Sequence, residues 1–315
     1  MECAGRAQRR RRFECPINFS LSPIRTRGVE LTRCDKLKLI GHRHSKAPSP
    51  LRSAGALQID MKIATWNVNS IIARLPLITR WLEKAQPDVL CIQETKCADD
   101  KFPLLELKST GYDCVIFGQQ SYNGVAIVSR AGCASIQRGF PDDDATSQAR
   151  LLTADIAGIR IVNVYVPNGQ MVGSEKYQFK LQWMSRLREF FDQNYDKEVP
   201  VLLCGDFNVA PEERDVHDPR LWQNRILFSE PERAALQNIK DWGFTDTFRL
   251  HTEAGGHYSW WDYRAGGFRR NLGLRIDHIW VSAPLATRSK ATWIDKEPRG
   301  WERPSDHAPV VAEFE

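Results

Sequence analysis

The stretch Met61-Lys62-Ile63-Ala64-Thr65-Trp66-Asn67-Val68-Asn69-Ser70 decides where this chain starts to fold and into what. Residues 62–68 read as a β-strand, with Asn67 and Asn69 arriving as the apolar run gives out. Residues 75–85 follow as an amphipathic helix with Leu75, Ile78 and Leu82 on one face, and 88–92 as a short strand buried on both sides. Strands are predicted over 113–117 and 125–129, joined by a turn at 122–124, and over 151–156 and 160–166, turning at Ala157-Gly158. Residues 177–194 form a long helix with Tyr177, Leu181, Met184, Leu187 and Phe191 as its core stripe, and 201–204 is another buried strand. Ser229-Glu230-Pro231-Glu232 is a capping box with proline in the first turn, opening a helix that stops near Gly243. Strands over 278–282 and 309–314 close the series. No repeat or low-complexity linker interrupts it, so one domain is expected over about 61–315.

In the other direction, residues 1–60 show no sustained period. They hold the run Arg9 to Arg12 with scattered Pro and Ser. A basic arm for nucleic acid and a transit peptide are the sharp readings. The plainer reading, preferred here, is an extension without a fold, translated from upstream of a true start at Met61. These residues carry 13 Lys+Arg against 5 Asp+Glu, whereas residues 61–315 carry 31 against 34. The net charge of +5 therefore belongs to the first 60 residues, and phosphate recognition by the main body must rest on local arrangement. No run reaches the roughly 18–20 apolar residues of a membrane span. An apolar share of 42% with ten Trp excludes a disordered or collagen-like chain. The eight Cys contain no C-x-x-C, and Cys91, Cys114 and Cys204 lie in strand-like apolar runs, the pattern of reduced thiols in a cytosolic protein.

Polar residues gather where the apolar runs begin or end. Asn67, Glu94, Tyr165, Asp206 and Asn208 stand at or just past carboxyl ends, while Asp277 and the pair Asp306-His307 stand just before apolar runs. In a sheet of mixed strand direction these two kinds of end share an edge, so all eight are expected on one rim, at the mouth of two packed sheets. Singly, each segment has a structural explanation: Asn67 as a strand cap, Glu94 of Gln93-Glu94-Thr95-Lys96 as a solvated exit, Gly205-Asp206-Phe207-Asn208 as a turn. An Asp beside a His at a strand start, as in Arg275-Ile276-Asp277-His278 and Ser305-Asp306-His307-Ala308-Pro309, suits proton handling better than packing. Together, carboxylates, amides, a Tyr and a His suit a phosphodiesterase using a hard divalent cation, Mg²⁺ with Mn²⁺ able to substitute, in preference to Zn²⁺. Phosphate-binding P-loops, G-x-G-x-x-G, H-E-x-x-H and G-x-S-x-G are absent. Asp142-Asp143-Asp144 lacks the Gly and distal Glu of a calcium loop and reads as a solvated turn.

These segments, in this order from 61 to 314, resemble the endonuclease/exonuclease/phosphatase superfamily, and within it the bacterial exodeoxyribonuclease III and abasic-site endonuclease family. The resemblance implies a four-layered α/β (α+β) sandwich, with two packed mixed β-sheets flanked by helices. It implies DNA repair by incision 5′ to abasic sites in double-stranded DNA, with 3′-phosphodiesterase, 3′-phosphatase and 3′→5′ exonuclease activity on blocked 3′ ends. It implies Mg²⁺ held chiefly by Glu94, with Asn67 and Asp306 near it and Asp206 and Asn208 counted among the ligands. Asp206 would orient water or protonate the leaving oxygen, Asn208 and Tyr165 would hold the scissile phosphate, and Asp277 would partner the phosphate-facing His307. In Tyr258-Ser259-Trp260-Trp261-Asp262-Tyr263-Arg264, Trp260, Trp261 and, further on, Phe268 are expected to line a pocket for the extruded baseless sugar, with Arg264 near the backbone. A plain core strand is the alternative for that run. Arg150, Lys176 and Gln178 are candidate DNA-backbone contacts. A monomer in the bacterial cytoplasm, at the nucleoid during repair and with no membrane partner, completes the expectation. The rivals are a superfamily relative hydrolysing RNA, phosphoinositide or sphingomyelin, and a non-catalytic DNA-binding protein on the same scaffold.

Overall fold

The strand β1 (Met61–Asn67) shows how the fold aims its functional end. Successive side chains of a strand point to opposite faces, so Met61 and Ile63 enter one apolar cluster and Ala64 and Trp66 another. The computed structural model describes residues 60–315; the readings made for residues 1–59 lie outside the described residues. It continues through β2 (Val89–Gln93), β3 (Asp113–Phe117), β4 (Val125–Ser129), β5 (Ala134–Arg138), β6 (Leu151–Ile156) and β7 (Ile159–Tyr165). There follow β8 (Val201–Asp206), β9 (Thr245–Asp246), β10 (Trp260–Trp261), β11 (Gly273–Leu274), β12 (Asp277–Val281), β13 (Ser289–Ile294) and β14 (Val310–Phe314).

Two six-stranded sheets result, ordered β13-β14-β1-β2-β4-β3 and β5-β6-β7-β8-β12-β9, with β10 and β11 paired apart. Both are mixed: β1 runs parallel to β2 and β7 to β8, and the other pairings within these two sheets are antiparallel. Ile63, Cys91, Ile161, Cys204, Ile279 and Ala312 belong to the core between the sheets. On the second sheet's far side, Val164, Leu203 and Trp280 pack against Met184 and Leu187 of the Glu175–Asn194 helix and Leu236 of the Glu230–Lys240 helix. On the first sheet's far side, Trp66 and Leu90 pack against Ile78, Trp81 and Leu82 of the Ile71–Ala85 helix. The layers therefore run helix, sheet, sheet, helix, as expected.

The inward alternation continues past the apolar residues to the strand ends. Counting in steps of two from Ile63, Cys91, Ile161, Cys204 and Ile279 leads to Asn67, Gln93, Tyr165, Asp206 and Asp277 on the faces between the sheets. One step in from the rim, Gln93 donates to Thr65 Oγ1 (2.8 Å) and Asn163 Oδ1 (2.7 Å), a buried tie from the first sheet to the second. The fold thus ends its inter-sheet core in polar side chains.

Some elements differ from expectation. The first helix begins at Ile71, a turn early, because Ser70 caps it by accepting the Ala73 amide. In the long helix Leu181 is only half-buried, while Lys180 is fully buried with its own polar partners. β5 and β13 were missed because both are edge strands, β5 mostly exposed, and edges carry little apolar alternation. Cys91, Cys97, Cys114, Cys133 and Cys204 are free thiols. Among the described residues no helix is long and apolar enough to cross a membrane.

Gly205 lies in β8 with φ +143°, where a Cβ would sit 1.9 Å from the Val164 carbonyl oxygen of the parallel neighbour. Gly205→Ala should therefore cost about 3 kcal/mol or more in urea unfolding, and a loss under about 1 kcal/mol would contradict this close approach.

Candidate active site

At the rim, strand register sets side chains of the second sheet side by side. Asp206 of β8 is level with Tyr165 on β7 and with Asp277 on the antiparallel β12. Just beyond β8 the chain turns at Asn208, whose left-handed backbone (φ 52°) lets its N–H donate to Asp206 Oδ1 at 2.8 Å. The Asn208 carboxamide also donates to Asp206 Oδ2 (3.1 Å) and to the Val166 carbonyl (3.0 Å), and accepts from Asn168 Nδ2 (3.0 Å).

The first sheet meets this group through Asn67, whose Nδ2 donates both to Glu94 Oε1 (3.0 Å) and to Asp206 Oδ2 (2.8 Å). Glu94 follows the inward-facing Gln93 and by simple alternation would face the outer helix. A left-handed backbone (φ 53°) takes it out of that alternation, and its carboxylate stays on the rim. Lys96 Nζ lies 2.6 Å from Glu94 Oε2 and donates to Asn69 Oδ1 (2.6 Å). Asn69 Nδ2 and the Trp260 indole N–H in turn donate to Asp306 (2.9 and 3.0 Å).

His307 completes the set. Its Nδ1 donates to both oxygens of Asp277 (2.9 and 3.1 Å), and its Nε2 lies 3.8 Å from Asp206 Oδ2. Ser259 fixes Asp277 from behind with a hydroxyl hydrogen bond of 2.6 Å. Burial by itself would depress the imidazole, but Asp277 and then Asp206 outweigh it and raise it to about 10, so it is a cation at neutral pH. Burial, with Asp277 and Glu94 adding, pushes Asp206 up to about 7 against the pull of His307 and Asn67. Glu94 is also buried enough to be pushed up, yet Lys96 and the hydrogen bonds from Asn67 and Tyr165 bring it below its ordinary value. Burial, followed by Glu94 and Asp206, lifts the Tyr165 phenol well above its ordinary value, so it remains a hydroxyl donor. One rim thus holds a carboxyl group poised near neutrality beside a fixed imidazolium, with ionised carboxylates alongside.

Residues 64–307 match the model of the endonuclease/exonuclease/phosphatase family. The chain belongs to that family. The exodeoxyribonuclease III of Haemophilus influenzae is 37% identical over 266 residues, covering 81% of this chain and all of that protein. Among solved structures, a 3′ phosphatase from Neisseria bound to a product DNA hairpin is 45% identical, with a TM-score of 0.78, covering 81% of this chain and 99% of that one. An AP endonuclease from Archaeoglobus fulgidus is 42% identical, with a TM-score of 0.78 and the same coverages.

For this member of the family, the eight residues expected on the rim lie together: Asn67 bonds Glu94 and Asp206, Asn208 bonds Asp206, the His307–Asp277 pair faces Asp206 at 3.8 Å, Tyr165 is level with Asp206, and Asp306 is tied in through Asn69. The DNA-facing expectations fare unevenly. Trp260 is half-buried at Asp306, but Trp261 is fully buried against Phe268 (ring centroids 5.1 Å), so it presents no surface to a ligand. Arg150 is not a solvated charge either: it is buried, stacks 4.6 Å over the Tyr165 ring and donates to the Tyr165 carbonyl. It borders a cleft of about 520 Å³ beside Tyr165, with Lys176, Gln148 and Asn168. Lys176 and Gln178 are exposed, and Arg264 is exposed and paired with Asp262. Asn69, Lys96, Asn168 and Ser259 were not singled out as site residues. The first three stand one to three positions beyond an expected one, Ser259 beside Trp260, and proximity to a strand end was their only sequence signal.

Because the folded His307 value lies above its ordinary 6.5, the stability it lends is complete below pH 6.5 and is lost as pH rises through about 10. In the metal-free protein its ¹⁵N imidazole shifts should keep imidazolium values between pH 6 and 8.5, moved only slightly as Asp206 titrates near 7. Asp277→Asn should bring a titration into that window, and flat shifts in the variant would contradict the pairing.

Proposed function

We propose that this protein is a metal-dependent DNA-repair nuclease that hydrolyses phosphodiesters 5′ to abasic sites and clears blocked 3′ ends of double-stranded DNA. The observation that carries the reading is the meeting of Glu94, Asn67, Asp206 and Asn208, joined by hydrogen bonds across two sheets, with the Asp277–His307 pair, whose imidazole lies 3.8 Å from Asp206. The exodeoxyribonuclease III, 3′ phosphatase and AP endonuclease among its relatives support the substrate class.

The donor set fits a hard cation. It offers carboxylate and amide oxygens without a thiolate, and the Lys96 ammonium already sits against Glu94. Glu94, Asn67 and Asp306 would hold Mg²⁺, or Mn²⁺ in its place, which when bound supplies charge stabilisation to the phosphate oxygens. Asp206, Asp277 and His307 also present ligand atoms within 4.8 Å of one another. His307 is the reason to prefer Glu94: a ligating imidazole must be neutral, and this one is held as a cation by Asp277. Asp206 and Asn208, offered by the sequence for both roles, are better used on the phosphate. The Asp206 carboxyl moves a proton, from the attacking water or to the leaving oxygen. The water oxygen bonds to phosphorus as the bond to the leaving oxygen breaks. Asn208 and the Tyr165 hydroxyl hold the phosphate oxygens, and the imidazolium faces the charge that grows there.

Trp260 and Phe268 are proposed to border the baseless-sugar pocket over the buried Trp261, with Arg150, Lys176 and Arg264 along the DNA backbone. Action as a monomer is part of the proposal, and the bacterial exodeoxyribonuclease supports a cytoplasmic setting. The catalytic unit is proposed to start at Met61, since the family match begins at residue 64.

Incubation with a duplex containing one abasic site should give a single incision that EDTA abolishes; equal cleavage of intact duplex would contradict abasic selectivity. Glu94→Gln should raise the Mg²⁺ requirement by at least about tenfold, and an unchanged metal titration refutes its role. Asp206→Asn should lower kcat by on the order of 10²-fold or more with DNA affinity nearly unchanged, and parallel losses would argue against proton transfer. A chain starting at Met61 should keep its activity and melting temperature; a clear drop in either rejects that boundary.

A further inference from the structure

The long Glu175–Asn194 helix carries a lysine where its core stripe should be apolar. Lys180 is fully buried, and its ammonium donates to the backbone carbonyls of Asn208 (2.7 Å) and Asn168 (3.2 Å) and pairs closely with Glu232. Glu232 is equally buried and its carboxylate is saturated, accepting also from the Leu227 amide (3.1 Å) and from the Ser229 amide (3.0 Å) and hydroxyl (2.5 Å). A buried ion pair is a weak source of stability, because desolvation offsets most of its attraction and a well-packed apolar pair often does as well. What an apolar pair could not do is grip two carbonyl oxygens.

Those carbonyls belong to the loops leaving β7 and β8. Asn208 stands in a left-handed conformation, held on its N–H side by Asp206 and on its C=O side by Lys180. Asn168 is gripped by the same ammonium, and its side chain donates to that of Asn208. We propose that Lys180, with Glu232 as its counter-charge, is a positioning residue that locks both loops so that the Asn208 and Asn168 carboxamides and the Asp206 carboxyl keep reactive geometry. This rests on the reading under Proposed function.

The test compares wild type, the charge-free pair Lys180→Met with Glu232→Gln, and Lys180→Arg. The measurements are kcat and KM on a duplex with one abasic site, melting temperature, and hydrogen–deuterium exchange across residues 206–210. The expected result for the charge-free pair is a kcat at least about 20-fold lower, since misplacing a reacting group by about 1 Å costs on this scale. Its KM and melting temperature should stay near wild type and its 206–210 amides should exchange faster, while Lys180→Arg restores most of kcat and the protection. A charge-free pair with kcat within twofold of wild type overturns the proposal. So does one whose kcat and melting temperature fall while its KM rises, or a Lys180→Arg variant with kcat and protection no better than those of the charge-free pair. A wild-type protein that cleaves no abasic duplex at all, with Mg²⁺ present, overturns instead the functional reading, and this proposal with it.

Discussion

The carboxamide of Asn67 spans the gap between the two sheets, donating to Glu94 from the first and to Asp206 from the second. It reaches both because strand alternation from Ile63 turns it inward at the point where the inter-sheet core opens to solvent. The sandwich brings two strand-end clusters, far apart in sequence, within one hydrogen bond of each other. The same inward faces carry Tyr165, Asp206 and Asp277, so the apolar core that stabilises the fold also aims the reactive groups.

That arrangement concentrates negative charge. Beside Asp277, the carboxyl groups of Asp206, Glu94 and Asp306 crowd a mostly buried rim, and burial alone would drive these three toward neutrality. Each finds a different remedy. Asp277 is balanced by an imidazolium, Glu94 by the Lys96 ammonium, and Asp306 by His307 and by the donors of Asn69 and Trp260. Asp206 is left near neutrality, where a carboxyl group exchanges protons readily. Lys96 and the left-handed backbones at Asn69, Glu94, Lys96 and Asn208 show local charge and local backbone conformation spent on orientation.

Much of this was legible in the sequence, for a simple reason. Polar residues at the ends of buried strands have few structural uses, and mixed strand direction brings both kinds of end to one edge, so the eight rim residues could be named without knowing strand order. Edge strands such as β5 were not legible, because solvent on one side removes the apolar alternation. Nor was Lys180 recognised in place of Leu181: adjacent positions lie about 100° apart on a helix, and an apolar leucine fits a stripe that a lysine enters only when buried acceptors await it. Trp261 and Arg150 mark the same limit from the other side. An aromatic or a cation beside an active site reads as a solvent-facing DNA contact, whereas packing gives it a neighbour to support as well, here Phe268 or Tyr165.

The central claim is that this rim binds its cation at Glu94 and leaves Asp206 and His307 for the phosphate. Anomalous diffraction from crystals soaked in manganese chloride tests it most directly. The account predicts a manganese peak within about 2.5 Å of a Glu94 carboxylate oxygen, with Lys96 displaced from it. A peak enclosed by Asp206, Asp277 and His307, with none at Glu94, would contradict it.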